Sequence, residues 1–242
     1  MSLEFKRPAF RDIKPVVRPI DHYAHVIWDW NGTLFDDVDL CVGVMNKLLS
    51  RRAMNTLTVE DYRESFGFPV HDYYRRLGFD FQAEPFEVVG TEFILEYEER
   101  RQEAKLYFDA REALERIQES GAGQSILSAY QQPMLEELIQ FFDLAGFFVR
   151  LVGLQDHYAH GKLDNGVEWM RQLGHDPEDV LLVGDTMHDC EVARAMGIDC
   201  VLIAGGHQSA SRLQGNGVPV IAGRRELFHP VAEEPLRTEQ TE

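Results

Sequence analysis

A chain of 242 residues, 44% of them apolar, can bury a substantial core, and at ~150 residues per domain it makes one large domain or a core with an insert. Its 24 basic against 41 acidic residues give a formal charge of −17, which opposes a nucleic-acid partner but not a phosphorylated small molecule held through a metal ion. No apolar run approaches the ~20 residues of a bilayer span, so no membrane partner is expected.

The basic N-terminus (Lys6, Arg7, Arg11, Lys14, Arg18) lacks the apolar stretch of a secretory signal. Cys41, Cys190 and Cys200 are odd in number and not spaced as zinc ligands, so they read as buried thiols of a reducing compartment. A cytoplasmic location is expected.

Residues 1–20, with Pro8, Pro15 and Pro19, read as an extended arm. Tyr23 to Asp29 is a buried strand, broken by Asn31-Gly32. From Val38 to Ala53 the rhythm turns helical, with Leu40, Val44 and Leu48 on one face. Thr58 with Asp61 has the form of a capping box with an acidic N3 partner, opening a helix to about Phe66. Gly67-Phe68-Pro69 breaks it, and a short helix ends near Gly78; its Phe68, His71, Tyr74, Arg75 and Arg76 include candidates for a cleft. Pro85 opens a long helix from Phe86 to about Leu106, with Phe93 and Tyr97 on one face and pairs such as Glu96–Arg100 on a solvated one. No strand is expected between Val38 and Tyr107.

After Asp109, helices and strands alternate. Helices are expected over Arg111–Glu119, from Pro133 to about Phe142, over Leu163–Leu173, and up to Gly197. Strands are expected at Gln124–Ser128, Phe148–Val152, Asp179–Gly184, Cys200–Ala204 and, weakly, Val218–Ala222. Such alternation predicts an α/β fold, a Rossmann-like parallel sheet with helices on both faces. The core takes residues 21–37 and 108–230, an all-helical cap is inserted over 38–107, and 231–242 form a loose tail.

Ligands of open parallel sheets bind at the carboxyl ends of the strands. Those ends carry Asp29, Ser128 and Asp185, with Asp189 one helical turn further and Lys162 in a loop between. Carboxylates gathered there repel unless a cation joins them. Mg²⁺ suits one or two carboxylates plus a phosphate, lysine and serine suit phosphate oxygens, and an aspartate can be the covalent nucleophile.

With those residues in that order the chain resembles the haloacid dehalogenase superfamily. Asp29-Trp30-Asn31-Gly32-Thr33-Leu34-Phe35-Asp36 is similar to its first motif, D-x-D-G-T-L-x-D, and Gly184-Asp185-Thr186-Met187-His188-Asp189 to its fourth, G-D-x-x-x-D. Ser128 and Lys162 take the places of the second and third motifs. The resemblance spans about residues 21–206, and an insertion just after the first motif matches the helical type-one cap of the phosphoglycolate phosphatase-like branch. It implies a phosphatase acting on a small phosphorylated substrate. Asp29 would form an aspartyl-phosphate, and Mg²⁺ would lie between Asp29, the Asn31 carbonyl and Asp185. Asp189 would ligate through water or orient Lys162. Ser128, Ala129 and Lys162, with the amides and shape of Gly32 and Thr33, would hold the phosphoryl group.

One position departs from the pattern. Family phosphatases carry a general acid/base aspartate where this chain has Asn31, and an amide neither gives nor takes a proton near neutral pH. General acid–base help is typically worth ~10²–10⁴-fold. Three readings stay open: a phosphatase whose protons pass through water or a neighbour such as His188, other chemistry of the superfamily (phosphonatase or dehalogenase), and a slow binder of phosphorylated ligands. Gly205-Gly206-His207, at another strand's end, is either a plain turn or a border of the site.

Overall fold

The computed structural model describes residues 18–155 and 161–228. The expected tail, and the arm up to residue 17, lie outside the described residues. In chain order the elements are β1 (His25–Trp28), β2 (Phe35–Asp36), α1 (Val38–Arg51), α2 (Val59–Ser65), α3 (Val70–Arg76), α4 (Phe86–Arg100) and β3 (Lys105–Leu106). There follow α5 (Ala110–Ser120), β4 (Gly123–Gln131), α6 (Gln132–Phe141), β5 (Arg150–Leu154), α7 (Lys162–Leu173), β6 (Val180–Gly184), α8 (Met187–Met196), β7 (Asp199–Ile203), α9 (Ala210–Leu213) and β8 (Val220–Ile221).

The main sheet has six parallel strands in the order β5-β4-β1-β6-β7-β8, with helices on both faces. Successive side chains of a strand point to opposite faces, so each central strand feeds two cores. Val26 and Trp28 of β1, Leu181 and Val183 of β6, and Val201 and Ile203 of β7 join one apolar cluster. Ile27, Val180, Leu182, Cys200 and Leu202 join the other. The chain first lays β4 and β5 on one side of β1, then crosses to lay β6, β7 and β8 on the other, which makes the tip of β1 the switch point where such sheets bind ligands.

The segment between β2 and β3 is helical, as expected, with a difference at its end. Lys105 and Leu106 pair antiparallel with Asp36 and Phe35, so a two-residue ribbon closes the insert where no strand was foreseen. A ladder this short has no period to read in a sequence. The helix α9 is likewise too short to leave a periodic signal. Thr58 caps α2 as a full capping box, its hydroxyl accepting from the Asp61 amide at 3.1 Å and the Asp61 carboxylate accepting from the Thr58 amide at 3.0 Å.

The charged face of α4 is not solvated by itself. Glu96 is bound by Lys47 and Arg51 of α1, and Arg52 holds both Glu84 and Glu92. Arg100 turns to Glu103 instead of Glu96, so the expected i,i+4 pair gives way to ion pairs between helices. Tyr97 is buried, and Phe93 stacks on it with ring centroids 6.1 Å apart.

Candidate active site

Asp29 follows β1 directly, and its amide donates to Val183 O at 2.9 Å, which fixes the turn-off point of the strand beside β6. Asp185 follows β6. Asp189 sits in the first turn of α8 and caps that helix: its Oδ2 accepts from the Thr186 amide at 3.0 Å and the Thr186 hydroxyl at 2.7 Å. Carboxylate oxygens of Asp29, Asp185 and Asp189 thus lie within 4.8 Å of one another, all buried.

Among the described residues, direct ion pairing with the trio comes from one side chain. Lys162 Nζ, 3% exposed as a residue, donates to Asp29 Oδ1 and to Asp189 Oδ1, each at 2.5 Å. The Thr33 hydroxyl has a single proton for two acceptors, Asp29 Oδ2 at 3.3 Å and Asp185 Oδ1 at 3.1 Å. Burial, with the charges of Asp189 and Asp185, pushes the Asp29 carboxyl well above the ordinary range despite Lys162. Burial and Asp189 raise Asp185 against the pull of His207. Burial also opposes ionisation of Asp189, yet Lys162 and the Thr186 bonds hold it low. Burial would lower Lys162, but Asp189 and Asp29 outweigh it and keep the ammonium charged. Two carboxylates left short of positive charge beside an oxygen-rich turn are the donor set of a hard divalent cation, so the residues fit a divalent metal.

A second buried acid stands beside this trio. Asp37 accepts from the Gly32 amide at 3.1 Å, the Asn31 amide Nδ2 at 2.8 Å and the Tyr97 hydroxyl at 2.8 Å. His207 Nε2 faces its Oδ1 at 3.3 Å, and His207 Nδ1 lies 2.9 Å from the Tyr62 hydroxyl. Burial would raise Asp37; the His207 charge and these bonds more than reverse that. Burial would lower His207, but Asp37, Asp185 and Asp29 carry its imidazole up to about 9. The His207 amide also donates to Asp185 Oδ2 at 2.6 Å, tying the two centres together.

Gly32 has φ +71°, and a β-carbon there would land on the Asp185 carboxylate and the His207 ring. No larger residue fits that approach.

Ser128 is buried where the β4–β5 register slips between Leu127 and Gln131, and its hydroxyl accepts from the Tyr130 amide at 3.0 Å. The Gln132 side chain fills the bulge, taking the Gly153 amide at 2.6 Å. Register places Ser128 and Ala129 on the strand next to β1, at the level just beyond Asp29.

Asp29, Thr33, Lys162, Asp185 and Asp189 therefore meet directly, Gly32 packs on them, and Ser128 and Ala129 border them. The Asn31 side chain does not face the trio: its amide is committed to Asp37 and to the Tyr97 hydroxyl at 2.9 Å. His188 turns its Nδ1 to Glu191 at 3.2 Å and lays its ring on Phe68. Asp37 and Tyr62 escaped the sequence reading, which placed Tyr97 on one face of a helix and not at the site. The doubled acid Asp36-Asp37 and the Gly205-Gly206-His207 turn were the visible signals, and the turn does border the site. Of the cap candidates, Tyr74 is core, His71 packs on Phe81 and Phe86, Arg75 pairs with Asp72, and Arg76 reaches a cavity beside the site.

A doubly wound parallel sheet with a carboxylate trio at its switch point and a helical insert behind the first strand defines a class of capped, Rossmann-like α/β protein. The chain belongs to the haloacid dehalogenase-like hydrolase family, whose model matches residues 26–203. It is 25% identical over 190 residues to a phosphoglycolate phosphatase of Pseudomonas fluorescens, covering 75% of this chain and 70% of that protein. It is 24% identical over 198 residues to a tyrosine-protein kinase of Mycobacterium tuberculosis, covering 81% of this chain and 67% of the relative. A haloacid dehalogenase-like hydrolase of Streptococcus pneumoniae superposes with a TM-score of 0.71 at 18% identity, over 86% of this chain and 97% of that one. Among the described residues no helix is long and apolar enough to cross a membrane.

Proposed function

We propose that the protein is a Mg²⁺-dependent phosphohydrolase that removes phosphate from a small phosphorylated metabolite through an aspartyl-phosphate on Asp29. One observation carries this reading: three buried carboxylates meet at the switch point, and a buried lysine pairs with two of them, Asp29 and Asp189. The family and the phosphatase among its relatives support it.

Asp29, Asp185 and the Asn31 carbonyl, with Asp189 behind them, would hold Mg²⁺, which when bound supplies neutralising charge at the phosphoryl oxygens. An Asp29 oxygen attacks phosphorus and the ester P–O bond breaks. Water then attacks the same phosphorus, the P–O bond to Asp29 breaks, and the carboxylate returns with release of phosphate. Lys162 and Ser128, with the Ala129 amide, hold the phosphoryl group in place, and Gly32 keeps the turn close beside it. Asp189 keeps Lys162 oriented. The Asn31 amide, bound to Asp37, delivers no proton, so the departing oxygen takes its proton from water. Esters with acidic leaving groups are therefore the faster substrates.

The test is hydrolysis of p-nitrophenyl phosphate and a panel of phosphorylated metabolites, with Mg²⁺ and with chelator. Turnover that needs the metal, disappears in Asp29→Asn and passes through an acid-stable phosphoenzyme is the expected result. Metal-independent turnover, or full activity of Asp29→Asn, refutes it. The commitment of Asn31 also favours a second reading, a slow binder of phosphorylated ligands. Mg²⁺-dependent binding of inorganic phosphate with no turnover across the panel would select it.

A further inference from the structure

The main sheet stops at β5, and among the described residues no further strand pairs with that edge. Val149 N donates to Gln124 O at 2.8 Å, Gln132 Nε2 to Leu151 O at 3.3 Å and Gly153 N to Gln132 Oε1 at 2.6 Å, so Val149, Leu151 and Gly153 turn these peptide groups inward. Peptide groups alternate in direction along a strand. Those of Arg150 and Val152 therefore point off the sheet, a template for another strand.

Helices α6 and α7 pack on opposite faces of the sheet and flank this edge, leaving a groove of about 1080 Å³ along β5. Phe141, at the end of α6, is 53% exposed, and Val149, at the head of β5, is 68% exposed. Apolar side chains left in water beside an open strand edge mark a docking surface. The lining carries three acids, Glu136 and Glu137 on α6 and Glu168 on α7, against one base, Arg150. Glu137 pairs with Arg101, and Glu136 meets the Gln132 amide. Glu168 pairs with Arg171 on an exposed face, where such pairs are weak. The groove therefore favours a cationic occupant. A second copy would set these acids against themselves, and residues 229–242, with four acids to one arginine, are repelled as well.

The chain holds a cationic segment of its own. Residues 1–17 have four bases (Lys6, Arg7, Arg11, Lys14) against Glu4 and Asp12, in a chain of formal charge −17. Within them Leu3, Phe5 and Arg7 alternate with Ser2, Glu4 and Lys6 in the period of a strand, up to Pro8. They join the described fold at Arg18, which pairs with Glu178 and Asp179 between α7 and β6. The ring of Trp169, on the α7 wall of the groove, lies 6.3 Å from that of His25, a few residues after Arg18. From β6 to β5 is about 15 Å by strand spacing, and residues 8–18 span up to about 36 Å when extended.

We propose that this arm docks on its own sheet: residues 2–7 add along the Arg150 and Val152 peptides as a further strand, and the arm's lysines and arginines meet Glu136 and Glu168. The surface is independent of the chemistry at Asp29.

Hydrogen exchange of the full chain, read at the Arg150 and Val152 amides, tests it. Both amides are expected to exchange at least about tenfold more slowly in the wild type than in Leu3→Asp/Phe5→Asp, since the tether holds the arm at high effective concentration. The charge-reversed pair Glu136→Lys/Glu168→Lys loses most of the same protection. Amides of β1 stay protected in all three chains, which separates undocking from unfolding. Wild-type amides exchanging at the rate of an open edge overturn the proposal, as does protection indifferent to either double variant. Protection that fades on dilution, as pairing with a second copy does, overturns it too.

Discussion

Two acidic centres share the tip of β1, and the protein treats them in opposite ways. Asp37 is surrounded by donors: a backbone amide, the Asn31 amide, the Tyr97 hydroxyl and a protonated His207. Its carboxylate is held ionised and needs nothing further. In the trio, Asp189 is well served by Lys162 and Thr186, but Asp29 has only Lys162 and a share of the Thr33 hydroxyl proton among the described residues, Asp185 has that shared proton and the His207 amide, and burial drives these two carboxyls up. Equal burial therefore does not mean equal electrostatics. The satisfied acid is part of the scaffold, and the underserved ones are where a cation and a phosphoryl group gain most.

The contrast can be broken most forcefully at Lys162. Lys162→Met leaves Asp29 and Asp189 buried without a cation, and the expected loss is about 3–5 kcal/mol in urea unfolding without divalent metal. Added Mg²⁺ restores part of it. If the variant is as stable as wild type, the trio is better compensated than its geometry implies.

The next largest effect belongs to the other centre. Asn31→Asp replaces a donor to Asp37 by a second carboxylate, at a cost of about 3 kcal/mol, since a hydrogen bond to a charged group is lost and a like charge gained. Combining it with Asp37→Asn relieves most of that cost. An Asn31→Asp protein with unchanged stability and a large gain in turnover would show that Asp37 does not restrain this position.

Metal binding separates the centres more gently. At about 100-fold its dissociation constant Mg²⁺ adds about 2.7 kcal/mol to wild type. Asp185→Asn removes most of this increment, whereas Asp37→Asn lowers the starting stability and retains it. The reverse pattern in thermal melts would move the ion to the Asp37 side.

The imidazoles repeat the contrast on a smaller scale. His207, facing Asp37, is carried up to about 9, while buried His25, whose Nε2 lies 2.8 Å from the Ser125 hydroxyl, is lowered by burial and by His175 to about 4. Because the folded value of His25 lies below its ordinary 6.5, the unfolded chain takes up the proton first. Its contribution is complete above that pH and declines as pH falls toward 4. Between pH 7 and 5 the loss is about 2 kcal/mol, and His25→Gln flattens that part of the unfolding profile.

The sequence made the trio legible because each member ends a strand or opens a helix, and such punctuation survives in one dimension. The alternation of apolar runs with helical segments likewise exposed the sheet, and Gly32 marked the tight turn. What stayed hidden depended on pairing across space. Nothing local tells that Asn31 will reach Asp37, or that Tyr97 from α4 will close on both. The Glu96–Arg100 expectation failed for the same reason, since α1 offered Glu96 nearer cations than its own helix did. The β2–β3 ribbon was invisible because two residues carry no rhythm.

That ribbon has a mechanical consequence. The Gly32 amide donates to Phe35 O at 2.8 Å, and Phe35 is paired through β2 to Leu106 at the far end of the insert. The two tethers of the four-helix segment are thus paired to each other, and the first continues the loop that bears Asn31 and Gly32. A shift of either tether would therefore be carried through the ribbon to the Gly32 peptide, within four residues of backbone.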